Sequence, residues 1–224
     1  MLKTLAKRLA ARLPVANQQE LKRIHFRREI GHGTFRTDEP EWDEADRWLT
    51  AGDWAIDVGA NVGHYTKRFS DLVGPGGRVI SFEPVPATFE LLSANVARFR
   101  NSNVTLLNIA ASDETKIVTM RIPRSDSGLR NYYQAAICDD HSGLQVLAYA
   151  IDAMGLPAEL VRLIKIDAEG HDAFVLGGAN RLLAHAKPVV VIESVSSEVY
   201  ENMKRLGYSM RRSPGSPNMI FEAL

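Results

Sequence analysis

The sequence contains a single cysteine, no surplus of charge of either sign and no long apolar run. Cys138 alone can form neither an internal disulfide nor a cysteine-based zinc cluster, and it fits a reducing compartment, so we expect a cytoplasmic protein. The 27 basic and 27 acidic residues cancel, so no overall charge attracts the chain to nucleic acid. No apolar run reaches the roughly 20 residues of a transmembrane helix. These absences argue against disulfide-rich, membrane-spanning and nucleic-acid-binding classes.

The order of the apolar segments predicts the fold class. From Asp53 onward, short apolar runs alternate with amphipathic helical patterns, which is typical of parallel strands joined by crossover helices. We therefore predict an α/β fold with a Rossmann-like, mostly parallel sheet, flanked by helices and closed by an antiparallel hairpin around Pro214 and Gly215. One predicted helix carries Val175, Ala179, Leu182 and Ala186 on a single face. The predicted strands are Trp54–Val58, Arg78–Phe82, Val104–Ile109, Leu163–Ile166, Val189–Ile192, Tyr208–Arg211 and Met219–Leu224.

Residues 1–40 precede this alternation and are predicted to form a helical extension. Met1–Leu13 is basic and amphipathic, which predicts a packing helix that Pro14 ends; a membrane surface or a partner subunit are alternatives. A second helix is predicted to start at Asp38-Glu39-Pro40-Glu41, where acidic residues and a proline suit a first turn, and to stop at Gly52.

Residues 41–224 are predicted to form the main domain, interrupted by residues 116–151. There the regular alternation fails, since the polar Arg124–Gly143 separates two strand-like runs. We predict an inserted ribbon and loop on the rim of the sheet, with the loop forming a mobile wall over an acceptor pocket. The two strand-like runs are Lys116–Ile122 and Gln145–Ile151.

A glycine-containing turn follows the first predicted strand. It reads Asp57-Val58-Gly59-Ala60-Asn61-Val62-Gly63 and opens a helix, so its backbone can turn tightly and approach a ligand. Glu83 ends the next strand, where a carboxylate can accept hydrogen bonds from both hydroxyls of a ribose. The turn lacks the G-x-G-x-x-G pattern of dinucleotide sites. Asp57 would repel a pyrophosphate but could bind the ammonium of an amino-acid group, which argues against a nicotinamide dinucleotide.

Four segments together resemble the FkbM-type methyltransferases. They are Trp48–Thr66, which contains the turn, Phe82-Glu83-Pro84, Asn108–Asp113, and Leu163–Asp172, which contains a K-I-D-x-E-G signature. The resemblance extends from about Trp48 to Tyr208. It implies a class I methyltransferase fold that uses S-adenosyl-methionine as its cofactor, usually for O-methylation of natural products or sugars.

The resemblance also assigns roles to residues of these motifs. It places the turn at the methionine end of the cofactor, Glu83 at the ribose, and Ser112 and Asp113 near the adenine, although Asp113 also suits a turn. The candidate cofactor-binding residues are Asp57, Gly59, Ala60, Asn61, Gly63, Glu83, Ser112 and Asp113.

Three further residues are candidates for catalysis because ligands on open α/β sheets bind beyond the carboxyl ends of the strands. Asp167 ends a predicted strand, and Glu169 and His171 follow it directly. His171 suits a general base near neutrality, but it also suits an exposed first-turn helix position. Asp167 or Glu169 could orient an acceptor hydroxyl or remove its proton, and Asp167 could instead cap a helix. Asp167 and Glu193 could bind magnesium, but two acids are a weak signal and we assign no metal.

The predicted function is therefore methylation of a hydroxyl on a small molecule or sugar. Two alternatives are a nicotinamide-dependent oxidoreductase and a non-catalytic protein that binds S-adenosyl-methionine. The neutral charge argues against a nucleic-acid acceptor.

Overall fold

The computed structural model of the protein describes residues 13–123, 132–138 and 142–224. Within these ranges, no helix combines the length and the apolar character needed to cross a membrane. The helices are α1 Val15–His32, α2 Pro40–Glu44, α3 His64–Val73, α4 Pro86–Val96, α5 Asp172–Gly177, α6 Asn180–Ala186 and α7 Ser197–Arg205. The strands are β1 Trp54–Val58, β2 Arg78–Phe82, β3 Val104–Leu107, β4 Ala110–Ser112, β5 Lys116–Arg121, β6 Ala136–Cys138, β7 Leu144–Ala150, β8 Val161–Ile166, β9 Val189–Ile192, β10 Tyr208–Arg212 and β11 Met219–Ala223.

The main sheet has seven strands in the order β10-β11-β9-β8-β1-β2-β3. The pairs from β3 to β9 are parallel, and the hairpin of β10 and β11 adds to β9 in the antiparallel sense. The prediction of a mostly parallel sheet with a closing antiparallel hairpin is therefore confirmed. Parallel neighbours bring the carboxyl ends of β1, β2, β8 and β9 to one edge of the sheet.

Apolar side chains cover both faces of the main sheet, as a parallel sheet between helices requires. Along β1, Ile56 belongs to the apolar cluster on one face, and Ala55 belongs to the cluster on the other. Tyr65 and Phe69 of α3 are buried in the second cluster. The period of two along the strand and the spacing of four along the helix are the sequence signals that predicted these elements.

The predicted insertion builds a second sheet of four strands in the order β4-β7-β5-β6. The predicted strand-like runs pair with each other as β5 and β7. Two predictions are wrong nearby. The run predicted to continue to Ile109 ends at Leu107, because Ala110–Ser112 pairs with β7 instead. Ala136–Cys138, predicted as loop, forms a strand against β5. Residues 124–131 and 139–141 of the predicted loop lie outside the described residues.

Two predicted helices also differ from the structure. The single helix predicted from Val175 to Ala186 is broken between α5 and α6, where the N–H of Asp152 donates to the carbonyl of Gly178 at 2.7 Å and the Asp152 carboxylate accepts from the N–H groups of Arg181 and Leu182. Gly178 also lies against β4, because a Cβ there would be 1.9 Å from the carbonyl oxygen of Ser112. The helix predicted to run to Gly52 is only α2 followed by a 3₁₀ turn over Ala45–Arg47.

Helix α1 follows Pro14 and packs against α4. Its Phe26 lies in a buried cluster with Phe35, Val62 and Leu91. The ring of His64 is 4.3 Å from that of Phe35, and burial lowers the pKa of His64 to about 4. The side chain is therefore a neutral packing residue at neutral pH. The helix predicted over Met1–Leu13 lies almost entirely outside the residues that the structure describes.

Candidate active site

A cavity opens at the carboxyl ends of β1, β2 and β8. One end is polar and the other is apolar. The polar end is lined by Asn61, Glu83, Asp167, Glu169 and His171, and the apolar end by Pro84, Val85, Met120, Tyr132, Ala135 and Ile137.

The turn after β1 requires glycine for a further reason besides the predicted tight turn. Gly59 lines the cavity and has a φ of 73°, but a Cβ there would be 1.9 Å from the backbone oxygen of Asp167. The residue is therefore needed for the close approach of the β8 end, in addition to any approach of a ligand. The N–H groups of Gly59 and Ala60 both donate to the carbonyl of Phe82, at 3.0 and 2.9 Å, which fixes the turn against β2.

Two of the predicted turn residues do not line the cavity. Ala60 is buried, and its N–H group is bonded to β2. Gly63 has a φ of 98° and precedes α3, where a Cβ would be 2.7 Å from Cδ1 of Leu92. Its small size allows α3 and α4 to pack closely.

Glu83 occupies the junction between the polar and apolar ends. The N–H of Asn61 donates to its Oε2 at 3.0 Å, and the N–H of Val85 donates to its Oε1 at 2.9 Å. The residue is only 6% exposed, and burial raises the pKa of Glu83 to about 7, although both backbone donors oppose the shift. Each oxygen keeps a further lone pair, so the carboxylate can still accept hydrogen bonds from two hydroxyl groups.

Asp57 lies beneath the turn and is fully buried, so it is not a lining residue. The hydroxyl of Thr66 donates to its Oδ2 at 2.5 Å, and its Oδ1 has no hydrogen-bond partner. Burial raises the pKa of Asp57, and the positive charge of Lys165 opposes that shift. Because Asp57 is beside Lys165 in the register of β1 and β8, its role in this structure is to balance a buried ammonium.

Lys165 connects this buried layer to the cavity. Its Nζ donates to Oδ2 of Asp167 at 3.1 Å and lies 4.9 Å from the centre of the Tyr65 ring. Tyr65 in turn donates to Glu39 at 2.6 Å. Burial alone would lower the pKa of Lys165, but Asp167 and Asp57 raise it above its ordinary value. Lys165 is therefore a cation that orients Asp167.

A second carboxyl group faces Asp167 from the neighbouring strand end. Ile166 and Ile192 are register partners, so Asp167 and Glu193 follow side by side. Partial desolvation of its carboxyl group, charge repulsion from Asp167 and Glu169 and a hydrogen bond to Asp167 together raise the pKa of Glu193 to about 7. Burial and the charge of Asp167 also raise the pKa of Glu169. The sequence analysis considered Glu193 with Asp167 only as a possible magnesium ligand and did not include it among the catalytic candidates; the direct adjacency of β8 and β9 is what the structure adds.

His171 is held at the other side of the polar end. Its Nε2 is 2.9 Å from Oγ of Ser112, whose hydroxyl donates to Asp113 at 3.0 Å. Its ring is stacked on Phe174, with the ring centres 4.5 Å apart. Burial lowers the pKa of His171, although Asp113 raises it. Ser112 and Asp113 are not among the residues that line the cavity, and in this structure they position His171.

Most of the apolar end was not identified from the sequence. Met120 could have been found from the alternation along β5, where Val118 and Met120 are buried with polar neighbours between them. Tyr132 and Ile137 carry no comparable signal, because β6 is short and its pairing with β5 is not local. No group of three His, Cys, Asp or Glu side chains in the described part of the chain is arranged to hold a metal ion.

Solved structures resemble this fold at low sequence identity. The FkbM methyltransferase of Methylobacillus flagellatus KT matches with a TM-score of 0.56 and 18% identity, over 77% of this chain and 44% of that one. This chain thus spans less than half the length of that protein. A putative rRNA methylase from Clostridium thermocellum matches with a TM-score of 0.51 and 11% identity, over 81% and 90% of the two chains.

Fibrillarin from Aeropyrum pernix, solved with natively bound S-adenosyl-L-methionine, has a TM-score of 0.48 and 15% identity, over 79% of this chain and 67% of its own. No curated protein matches the sequence. The methyltransferase FkbM domain family matches residues 57–210, which is more than half of the chain and includes the turn, Glu83 and the carboxyl cluster. The chain belongs to the FkbM methyltransferase domain family.

Proposed function

We propose that the protein is an S-adenosyl-methionine-dependent methyltransferase that methylates a hydroxyl group of a small molecule or sugar. The observation that carries this proposal is one cavity lined by Glu83, a carboxylate suited to a ribose, and by Asp167 and Glu169, beside which Glu193 adds a third carboxyl group. The family assignment supports the same reaction class.

The cavity fits the cofactor in both chemistry and order. Glu83 would accept hydrogen bonds from the ribose hydroxyls with its remaining lone pairs. The sulfonium and the ammonium of the cofactor are cationic, so they would lie toward the carboxylates, and Gly59 and Asn61 would flank them. When bound, the cofactor supplies an activated methyl group on sulfur.

The task of the protein is to align the acceptor oxygen and to remove its proton. Asp167 would accept a hydrogen bond from the acceptor hydroxyl and take its proton as the oxygen–carbon bond forms and the carbon–sulfur bond breaks. Lys165 holds Asp167 in place at 3.1 Å. Glu169 would orient the acceptor, and His171, already bonded to Ser112, would form the wall of the site.

The charge of the polar end favours an acceptor without phosphate groups. Asp167 and Glu169 line that end, Glu193 lies beside Asp167, and the nearby Lys165 is buried and bonded to Asp167. A phosphate beside these carboxylates would be repelled, whereas the hydroxyls of a neutral sugar could donate to them. This supports a neutral polyhydroxyl acceptor over a nucleic acid, although a neighbour in fold is a putative rRNA methylase.

A labelling experiment tests the proposal. Purified protein would be incubated with methyl-labelled S-adenosyl-methionine and a panel of sugars, phenols and RNA, while calorimetry measures the affinity for S-adenosyl-homocysteine. We expect transfer to a hydroxyl of a sugar or small molecule, and a loss of about 10²- to 10⁴-fold in Asp167→Asn with affinity retained. His171→Gln is the control and should keep most of its turnover. Absence of binding would refute the function; full turnover in Asp167→Asn would refute the assigned base.

A further inference from the structure

We propose that the small sheet and α1 together form the adenine-binding wall of the cofactor site, with Tyr132 and Ile137 in contact with the base and Lys22 holding Tyr132. This inference rests on the proposed function and extends it to two segments that lie outside the cofactor motifs. It also reverses the expectation that the insertion walls the acceptor pocket.

The charges around Glu83 determine the direction in which an adenosyl group would lie. With its ribose at Glu83, the cofactor has a cationic arm and a flat, uncharged base on opposite sides of the sugar. The carboxylates of Asp167 and Glu169 line the cavity directly after β8, whereas the described residues that line it from the insertion, which are Met120, Tyr132, Ala135 and Ile137, carry no charge and belong to one largely apolar cluster with Val85. The cation is stabilised beside the carboxylates, and the base is stabilised by burial against apolar surface. The base therefore points toward the small sheet.

The apolar end of the cavity is formed by the loop after β2 and the inner face of the small sheet. Val85, which follows Glu83, and Ala110 of β4 form one buried cluster with residues of the insertion. Within the insertion, Met120, Val146 and Ala148 are buried, whereas Ile117 and Leu147 on the opposite face are 62% and 39% exposed. An antiparallel sheet with one apolar face against the core and one face in solvent has this pattern. The inner face of the small sheet is thus continuous with the loop that positions Glu83.

Helix α1 contacts the apolar end of the cavity through Tyr132. This helix lies across α4, with Gln19 donating to the carbonyl of Ala87 at 3.4 Å and Arg23 paired with Glu90 at 3.3 Å. That placement brings Nζ of Lys22 to 5.6 Å from the centre of the Tyr132 ring. Burial lowers the pKa of Lys22, which is consistent with an ammonium that is partly desolvated against the ring. Tyr132 is therefore held between α1 and the cavity.

The test compares matched variants on the two faces of the same sheet. Calorimetry would measure the dissociation constants of S-adenosyl-homocysteine and of 5′-methylthioadenosine, which lacks the amino-acid arm. We expect Ile137→Ala and Tyr132→Ala to weaken both ligands by the same factor, about tenfold, because both keep the base. Ile117→Ala, on the outer face, should change neither by more than about twofold.

Lys22 provides a variant that leaves the sheet core intact. Lys22→Met keeps the apolar stem and removes the cation, and should weaken both ligands by about threefold, whereas Lys22→Arg should restore the wild-type affinity. If the wild-type protein binds neither ligand, the proposed function fails and this inference fails with it. If the wild-type protein binds both and the variants of Tyr132, Ile137 and Lys22 bind equally well, only this inference is wrong. A raised KM for the acceptor with unchanged cofactor affinity would likewise overturn it, and would assign the wall to the acceptor.

Discussion

Removing the carboxyl group of Glu193 should abolish the pH dependence of methyl transfer near neutrality. Below a pH of about 7, Glu193 holds a proton and shares it with Asp167, because burial and the charges of Asp167, Glu169 and Asp172 raise its pKa to that value. A proton so held reduces the ability of Asp167 to accept another from the acceptor hydroxyl. Turnover of the wild-type protein should therefore rise with pH through about 7. Lys165 is the cation that faces the pair, and it stays charged over this range.

The size of the effect follows from the raised pKa. A group with a pKa of about 7 is ionised to only about a tenth at pH 6, whereas an ordinary glutamate is almost fully ionised there. Turnover at pH 6 should thus be about a tenth of that at pH 8 in the wild-type protein, and nearly equal at the two values in Glu193→Ala. The exposed position of Glu193 makes the substitution tolerable for folding.

The assay is kcat against pH at saturating cofactor, which removes any contribution from Glu83 to binding. His171→Gln is the matched control and should keep the wild-type profile, since His171 is not part of the carboxyl pair. An unchanged inflection in Glu193→Ala would refute the reasoning, and its loss in His171→Gln would assign the titration to the histidine.

Two further predictions concern other buried titratable groups. The pKa of His64 is about 4 in the fold and about 6.5 in the unfolded chain, so the free energy of unfolding should fall by up to about 3 kcal/mol as pH drops from 6.5 to 4. The His64→Phe variant should not show this loss. Urea unfolding of both proteins at pH 7.5 and 5 tests the prediction, and a stability difference between them that is the same at both pH values would contradict it. The pKa of Glu83 is about 7, so the affinity for S-adenosyl-homocysteine should rise by up to about tenfold from pH 6 to 8. The Glu83→Gln variant should lose that dependence. A wild-type affinity that is the same at pH 6 and pH 8 would exclude a carboxylate–ribose contact.

The parts of the fold that the sequence predicts well are those determined by neighbours along the chain. The strand β1, its turn and α3 were predicted because apolar spacing and glycine act within a few residues. The break between α5 and α6 was not predictable, because Asp152, whose backbone and carboxylate form the hydrogen bonds at the break, is distant in sequence. Strand β6 was missed for a similar reason, since only its pairing with β5 makes it a strand.

In the candidate site, too, the residues placed by neighbours along the chain were predictable and those placed by distant segments were not. Asn61, Glu83 and Asp167 lie on the cavity because strand ends and turns place them there, and both features are visible in the sequence. Asp57 and Ser112 have the residue types of ligand-binding groups, but Asp57 is buried beneath the turn with Thr66 and the charge of Lys165 beside it, and Ser112 is bonded to His171. Whether a polar side chain faces a ligand or another side chain depends on contacts between distant segments, which a single sequence does not reveal.

Main-chain atoms, and not side chains, make two of the closest contacts in the frame that surrounds the cavity. At Gly59 the turn rests on the backbone of Asp167, and at Gly178 the end of α5 rests on the backbone of Ser112, with no room for a Cβ at either place. A change of lining side chain therefore alters the shape and charge presented to a ligand while the frame stays the same size. Redesign of acceptor choice can accordingly begin at exposed lining positions such as Glu169 and should leave both glycines in place.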